Sequence, residues 1–374
     1  MNGFNLSDIQ DARLGGTQLS AIYLGSSKLW STAFDYSQEY FTIECLENNT
    51  SIYWWLSSSS GTAKTIQFSY DKETWYTETS SYISDSEGTL LDTLDDGDII
   101  YIKGSEKTYA DSSFYSAFMT LGTIKVSGNI MSMLYGDNFI NQTTLTGIHT
   151  FNGLFRKCPY LLDASNLILP STILTSYCYA NMFRDCTSLL YAPKLPATTL
   201  AERCYYYMFH TTKSLTTPPI LPAMTMQKYC YCYMFENSGI TSISLPATTL
   251  AYACYANMLC STKITTLELP ATNIASFGRC YRTICYGCSS LTSVTIRATS
   301  SLASNCLDYA FYGCTNLSYI KYMSSTQPSA SYTWSWVNNV KLSGAFVKNS
   351  SATWANSYGT SAIPSGWTVT TASE

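Results

Sequence analysis

The chain is expected to be multidomain: an antiparallel β-sandwich, then an α/β solenoid of short stacked repeats, then a C-terminal cap. Three observations carry this expectation. A Leu-Pro pair recurs at Leu169-Pro170, Leu195-Pro196, Leu221-Pro222, Leu245-Pro246 and Leu269-Pro270. A Cys-Tyr pair follows each, at Cys178-Tyr179, Cys204-Tyr205, Cys230-Tyr231, Cys254-Tyr255 and Cys280-Tyr281. Residues 34–140 instead hold short apolar runs separated by polar turns. A unit of 24 to 26 residues cannot bury a core alone. It hides its apolar face only by stacking on its neighbours.

The organisation predicted is 1–33, a docking segment; 34–140, the β-sandwich; 141–323, the solenoid; and 324–374, the cap. Within residues 1–33, Ser7 and Gln10 form a capping box for a short helix that Gly15-Gly16 ends. Ile22-Tyr23-Leu24 and Leu29-Trp30 flank Gly25-Ser26 as a tight hairpin. A lone hairpin is too small to stand by itself, so it must pack on the next domain or dock into another protein; docking is the favoured reading, through Ile22, Tyr23, Leu24, Leu29 and Trp30.

Strands of the β-sandwich are predicted at 40–46, 51–56, 65–70, 97–103 and 122–126. Glu47-Asn48-Asn49, Ser57 to Gly61, Asp71-Lys72 and Asp95-Asp96-Gly97 supply turns between them. The spacing suggests an immunoglobulin-like sandwich without its disulfide, because Cys45 has no partner there. Asp92, Asp95, Asp96 and Asp98 lack the closing Glu of an EF-hand loop and read as a solvated acidic turn.

Each repeat carries two apolar patterns. One is Leu-x-x-Leu-x-Leu, as in Ile240, Ile243, Leu245; Ile264, Leu267, Leu269; Leu291, Val294, Ile296; and Leu317, Ile320, Tyr322. Its last two positions have the strand period, and a following Pro ends the ladder for want of an N–H. The other is Ala201, Cys204, Met208 with Tyr205 and Phe209, repeated at Ala251, Cys254, Met258. This reads as one stripe of an amphipathic helix. Strand, turn, helix, turn is a leucine-rich-repeat coil. Beyond residue 323 the period disappears, and Trp334, Trp336, Phe346, Trp354 and Trp367 are expected to cover the last coil, with an exposed aromatic sugar platform as the rival reading.

Charged residues make up only 12% of the chain, and 31 residues are Tyr. The net charge of −4 is uneven: −11 over residues 1–140, +6 over 141–323 and +1 beyond. No basic stripe suits nucleic acid. No run of about twenty apolar residues suits a membrane span. The first ten residues have neither a basic nor an apolar signal region, so no secretion signal is read there. Thirteen of the fourteen cysteines lie in the repeats. Stacked helices sit about 10 Å apart, beyond the about 7 Å limit of a disulfide, so Cys178, Cys204, Cys230 and Cys254 are expected to be buried free thiols. Cys285-x-x-Cys288 lacks a second ligand pair for zinc, and no metal or cofactor is predicted.

Between coils, the core slots are constant while the slots beside them vary. The variable residues Arg203, Tyr206, Tyr207, Lys228, Tyr233 and Arg282 are the candidate ligand-binding surface. Ring faces, hydroxyl donors and guanidinium forks suit planar sugars and acidic groups. The competing expectation is that they keep the array soluble or contact other subunits. No catalytic residue is predicted. Asp163, Asp185, Glu202, Glu236, Glu268 and Asp308 are dispersed, although stacking could bring Asp185 towards a neighbour. His149 and His210 sit in no nucleophile or metal motif.

The units Leu-Pro-Ala-Thr-Thr-Leu-Ala at 195–201 and 245–251, with Cys-Tyr-x-x-Met-Phe at 204–209 and 230–235, resemble the BspA-like leucine-rich repeats of bacterial surface proteins. The whole chain, with Ser20 to Gly25 at one end and Gly344 to Lys348 and Ile363 to Val369 at the other, is similar to structural proteins of Bacteroidales-infecting, crAss-like phages. That resemblance implies a non-enzymatic virion protein of fibre or tail-appendage type. It would be assembled in the host cytoplasm and released by lysis, attached to other virion proteins through residues 1–33, and homo-oligomeric. Its repeats would meet a host surface glycan or protein. A purely structural assembly or decoration protein, a bacterial adhesin and a glycan depolymerase are the alternatives.

Overall fold

The computed structural model describes residues 34–83 and 88–372, together with the strand backbone at 13–14, 17–18, 21–24 and 27–31. Four short strands come first: β1 (Arg13–Leu14), β2 (Thr17–Gln18), β3 (Ala21–Leu24) and β4 (Ser27–Ser31). β1 pairs with β2 and β3 with β4, both antiparallel. Ser7 and Gln10 lie outside the described residues. Gly15 and Gly16, expected to end a helix, lie outside the described residues as well. In the β3–β4 hairpin Ile22 faces Trp30, Tyr23 faces Lys28, and the register shifts between Ile22 and Tyr23.

The next region holds β5 (Phe41–Cys45), β6 (Thr50–Leu56), β7 (Thr65–Ser69), β8 (Tyr76–Thr79), β9 (Thr89–Leu94), β10 (Ile99–Lys103), β11 (Ser116–Leu121) and β12 (Ile124–Asn129). With β13 (Leu161–Ile168), they form a six-stranded sheet in the order β13-β12-β5-β10-β7-β8 and a three-stranded sheet β11-β6-β9. All pairings are antiparallel except β12 with β13. Phe41, Ile43, Trp54, Ile100, Ile102 and Phe118 alternate inwards and are buried. Strands β8, β9 and β11 depart from the expectation: β8 is largely exposed, β9 buries Leu91 and Leu94 three residues apart, and β11 is buried on nearly every residue, so none shows clean two-residue alternation. The acidic turn is tied internally. Asp95 Oδ1 accepts from the Asn49 N–H and Asp98 Oδ2 from the Asp95 N–H.

No helix forms where the repeat stripe predicted one. Instead, residues with positive φ recur at every fourth position: Tyr177, Asn181, Asp185; Arg203, Tyr207, Thr211; Tyr229, Tyr233, Asn237. Backbone donors then alternate between two partners. The N–H groups of Ala180, Met182 and Arg184 donate three residues back, to Tyr177, Tyr179 and Asn181. Those of Tyr179, Asn181 and Phe183 donate to the next coil, at Cys204 (3.0 Å), Tyr206 (2.8 Å) and Met208 (2.9 Å). A helix would satisfy its own backbone with bonds four residues back. Here half of the donors depend on the neighbouring coil. The buried pattern, Cys178, Tyr179, Met182, Phe183 and Cys186, repeats every four residues. Over nine residues a period of four cannot be told from 3.6, which explains the miss.

Hydrogen bonding between coils sets their spacing and lets like side chains stack. One aromatic column runs Tyr109, Phe151, Tyr179, Tyr205, Tyr231, Tyr255, Tyr281, with centroids 5.7 to 6.2 Å apart. A second runs Phe118, Phe155, Phe183, Phe209, Phe235 at 5.4 to 6.0 Å. Both begin in the β region, and one contiguous core extends from Phe41 to Trp367. The parallel pairing of β12 with β13 carries the sheet across the same boundary. All fourteen cysteines are buried free thiols. Helix spacing is not what keeps them apart, because neighbouring coils lie at backbone hydrogen-bonding distance.

The opposite side of the coils is a parallel β-solenoid near the C-terminus. β14 (Thr266–Leu269), β15 (Ser293–Ile296), β16 (Tyr319–Tyr322), β17 (Ala345–Lys348) and β18 (Thr368–Thr371) pair in sequence order. Strand character predicted at Ile243 and Leu245 is missing; Pro218, Pro219, Pro222 and Pro246 remove N–H donors from that stretch. The chain beyond residue 323, expected to lose the period, continues it over its described residues: the Tyr309 and Phe311 N–H groups donate to the Trp334 and Trp336 carbonyls. Trp336 and Trp367 are buried in the core and donate their indole N–H to Ala362 and Lys341 carbonyls, each at 2.8 Å. Trp334 is exposed.

Candidate functional site

The turn side of the coils carries the variable slots. Their side chains leave the backbone beside the buried Cys-Tyr and Met-Phe pairs, so each coil adds one rung to a continuous outer face. Tyr207 stacks on Tyr233 of the next coil, with centroids 4.4 Å apart and planes within 8°. Tyr206 sets its edge against both, at 4.4 and 5.9 Å. The Arg203 guanidinium donates to the Tyr177 hydroxyl. It lies over the Tyr229 ring at 4.5 Å and is 3.3 Å from the Glu202 carboxylate. Tyr229 meets Tyr252 edge-on at 5.5 Å.

Arg203, Tyr206, Tyr207 and Tyr233 are therefore brought together and half-buried, with Tyr206 and Tyr233 packed on the small side chains Cys232, Ala253 and Ala256. Lys228 is exposed and contributes its carbonyl to the Arg203 N–H. Arg282 lies further along the stack, half-buried, with an Nε that has no hydrogen-bond partner among the described residues. The face also includes Tyr177, Tyr229, Tyr252, Arg184 and His210, which were not among the candidate residues. They occupy the same variable slots one coil away or four residues on. A four-residue period would have pointed to them.

Two electrostatic features border the rings. Arg184 lies over Tyr207 at 4.7 Å. His210 sits between Asp185 (Nδ1 to Oδ1, 3.6 Å) and Glu236 (Nε2 to Oε2, 3.4 Å), which come from the preceding and following coils. Burial would lower the His210 pKa, but hydrogen bonds with Asp185 and Glu236 outweigh it and raise the pKa. Burial would raise the Asp185 pKa, but His210 and Arg184 hold it below the ordinary value. Burial pushes the Tyr207 hydroxyl well above its usual range, so it remains a neutral donor. His149, the other histidine, is buried and stacks on Tyr177 at 4.4 Å.

The remaining carboxylates of the repeats also have partners. Glu268 pairs with Arg297. Asp308 accepts from Asn305 and from the Trp334 N–H, and Asp163 accepts from the Ser165 N–H. Among the described residues, no group of three His, Cys, Asp or Glu side chains could hold a metal ion, Cys285 and Cys288 included. No described helix is long and apolar enough to cross a membrane. In the β region, a cleft of about 370 Å³ is lined by Tyr36, Tyr101 and two ion pairs, Lys72–Glu39 and Lys125–Glu44.

The docking candidates Ile22, Tyr23, Leu24, Leu29 and Trp30 lie on β3 and β4, whose side chains are outside the described residues. Comparison with family models, with curated proteins and with solved structures returned no match.

Proposed function

We propose that this chain is a non-enzymatic adhesive structural protein, of the virion-appendage type its motifs resemble, and that its turn-side aromatic face binds a glycan of the host surface. Under this reading the coils are leucine-rich-repeat units with turns in place of helices, the β region is an immunoglobulin-like sandwich, and residues 1–33 dock the homo-oligomeric protein onto the virion. The observation that supports it is the half-buried cluster of Tyr206, Tyr207 and Tyr233 beside Arg203. The rings are held by stacking while their hydroxyls stay protonated and able to donate. Sugar rings present an apolar face and a polar rim, which such a surface matches. The carboxylates of the repeats are already engaged with cations or backbone donors, which favours binding over hydrolysis.

The test is a glycan array probed with the full chain and with Tyr207→Ala/Tyr233→Ala. A discrete set of glycans retained by the chain and weakened at least about tenfold in the variant, equivalent to about 1.4 kcal/mol, supports the reading. Equal binding by both proteins, or none by either, overturns it. A purely structural assembly role is favoured by a different observation: an apolar groove lined by Pro218, Pro219, Ile220, Pro222 and Ile243, with Ile220 85% exposed. It predicts that Ile220→Lys disturbs particle assembly and leaves the array result unchanged.

A further inference from the structure

Cys280 and Cys306 occupy the same slot in consecutive coils. Their Sγ atoms lie 2.8 Å apart, and both residues are fully buried. The Tyr281 N–H bonds the Cys306 carbonyl at 3.1 Å, which makes the two segments neighbours in the inter-coil ladder. Hydrogen-bonded backbones run about 4.7–4.9 Å apart, inside the about 4.4–6.8 Å range of Cα separations that a disulfide spans. The slot also holds Cys178, Cys204, Cys230 and Cys254. Among the described residues, no other sulfur pair of that slot is hydrogen-bonded.

We infer that Cys280 and Cys306 form a reversible disulfide, a redox staple between two coils that closes when the protein passes from a thiol-reducing to an oxidising environment. Closing the bond requires the sulfurs to approach by about 0.8 Å, from their present contact to about 2.05 Å. That is within reach of small side-chain rotations. The oxidant is a low-molecular-weight disulfide such as oxidised glutathione. One cysteine, as its thiolate, attacks a glutathione sulfur and breaks the glutathione S–S bond, releasing one glutathione thiol. The second cysteine then displaces the other glutathione from the mixed disulfide. The two protein thiols lose two electrons and two protons, and two glutathione thiols carry them away. Because both sulfurs are buried, exchange waits on local opening of the coil. The staple therefore forms slowly and, once closed, is shielded from reductant.

The experiment uses the full chain, purified reduced and then incubated with oxidised glutathione. Free thiols are blocked in denaturant with N-ethylmaleimide. The protein is then reduced, labelled with deuterated N-ethylmaleimide and mapped by mass spectrometry. The expected result is the deuterated label on Cys280 and Cys306 and the first label on the other twelve of the fourteen cysteines. Cys254→Ser should keep this pattern, and Cys280→Ser should return Cys306 to the first label. Deuterated label on a different pair, a stable glutathione adduct on either sulfur, or first label on both after prolonged oxidation would each overturn the inference. The wild-type map stands even if a variant fails to fold.

Discussion

Replacing Tyr231 by Phe should stabilise the protein. The Tyr231 ring is sandwiched between Tyr205 at 5.7 Å and Tyr255 at 5.8 Å, and its hydroxyl is buried without a hydrogen-bond partner among the described residues. An unsatisfied buried hydroxyl costs about 1–3 kcal/mol. Phe keeps both stacking contacts and leaves a hole smaller than a methyl group, which costs less than about 1 kcal/mol. The net gain should be about 0.5–2 kcal/mol. Tyr109 starts the same column but donates its hydroxyl to the Met133 carbonyl at 2.6 Å. Tyr109→Phe should lose about 1–3 kcal/mol, since it also orphans a buried acceptor. Urea unfolding followed by near-ultraviolet circular dichroism would compare the midpoints, with unchanged slopes confirming a comparable unfolded state. If both substitutions lowered the midpoint equally, the column would not be an apolar stack with idle hydroxyls, and the reasoning would fail.

Phe209→Ala removes the middle of the second aromatic column between Phe183 and Phe235; a loss of about 3–5 kcal/mol is expected, read by the same unfolding experiment. Gly313 has φ of 74°, and the nearest atom to a Cβ there is 3.6 Å away, so Gly313→Ala should cost about 1–2 kcal/mol from backbone strain alone. The converse, Ser261→Gly at φ 56°, should raise the melting temperature. The His210 pKa is raised in the folded chain, so its stabilisation is complete below 6.5, the ordinary histidine value, and is lost as pH rises through the folded pKa. The Asp185 pKa is lowered, so its contribution is present above 3.8 and is lost as pH falls through its folded pKa. The difference in melting temperature between the chain and His210→Gln should therefore be greatest between about pH 4 and pH 6.5 and shrink at higher pH.

Much of the fold could be read from residue spacing. The Cys-Tyr and Met-Phe slots were expected to be core, and they are. Predicted strands at 40–46, 51–56 and 65–70 fall within about one residue of β5, β6 and β7. The strand pattern also held at Leu267 and Leu269, Val294 and Ile296, and Ile320 and Tyr322. It failed at Ile243 and Leu245, where nearby prolines outweigh apolar alternation. The last coils were hidden because Trp336, Phe346 and Trp367 replace the aliphatic and Cys-Tyr markers while filling core positions.

That the chain repeats, how long each coil is and which side chains must be buried all depend on the order of apolar and polar residues along one coil, and are legible there. How the backbone between those side chains is satisfied emerges only when the coils stack. Tyr179, Asn181 and Phe183 send their N–H groups to partners a whole coil away, and no local pattern encodes a bond that exists only after stacking. The same separation governs the candidate site. Tyr207 and Tyr233 become a stacked pair, and Asp185, His210 and Glu236 become a charged row, because hydrogen bonding between coils places equivalent slots side by side.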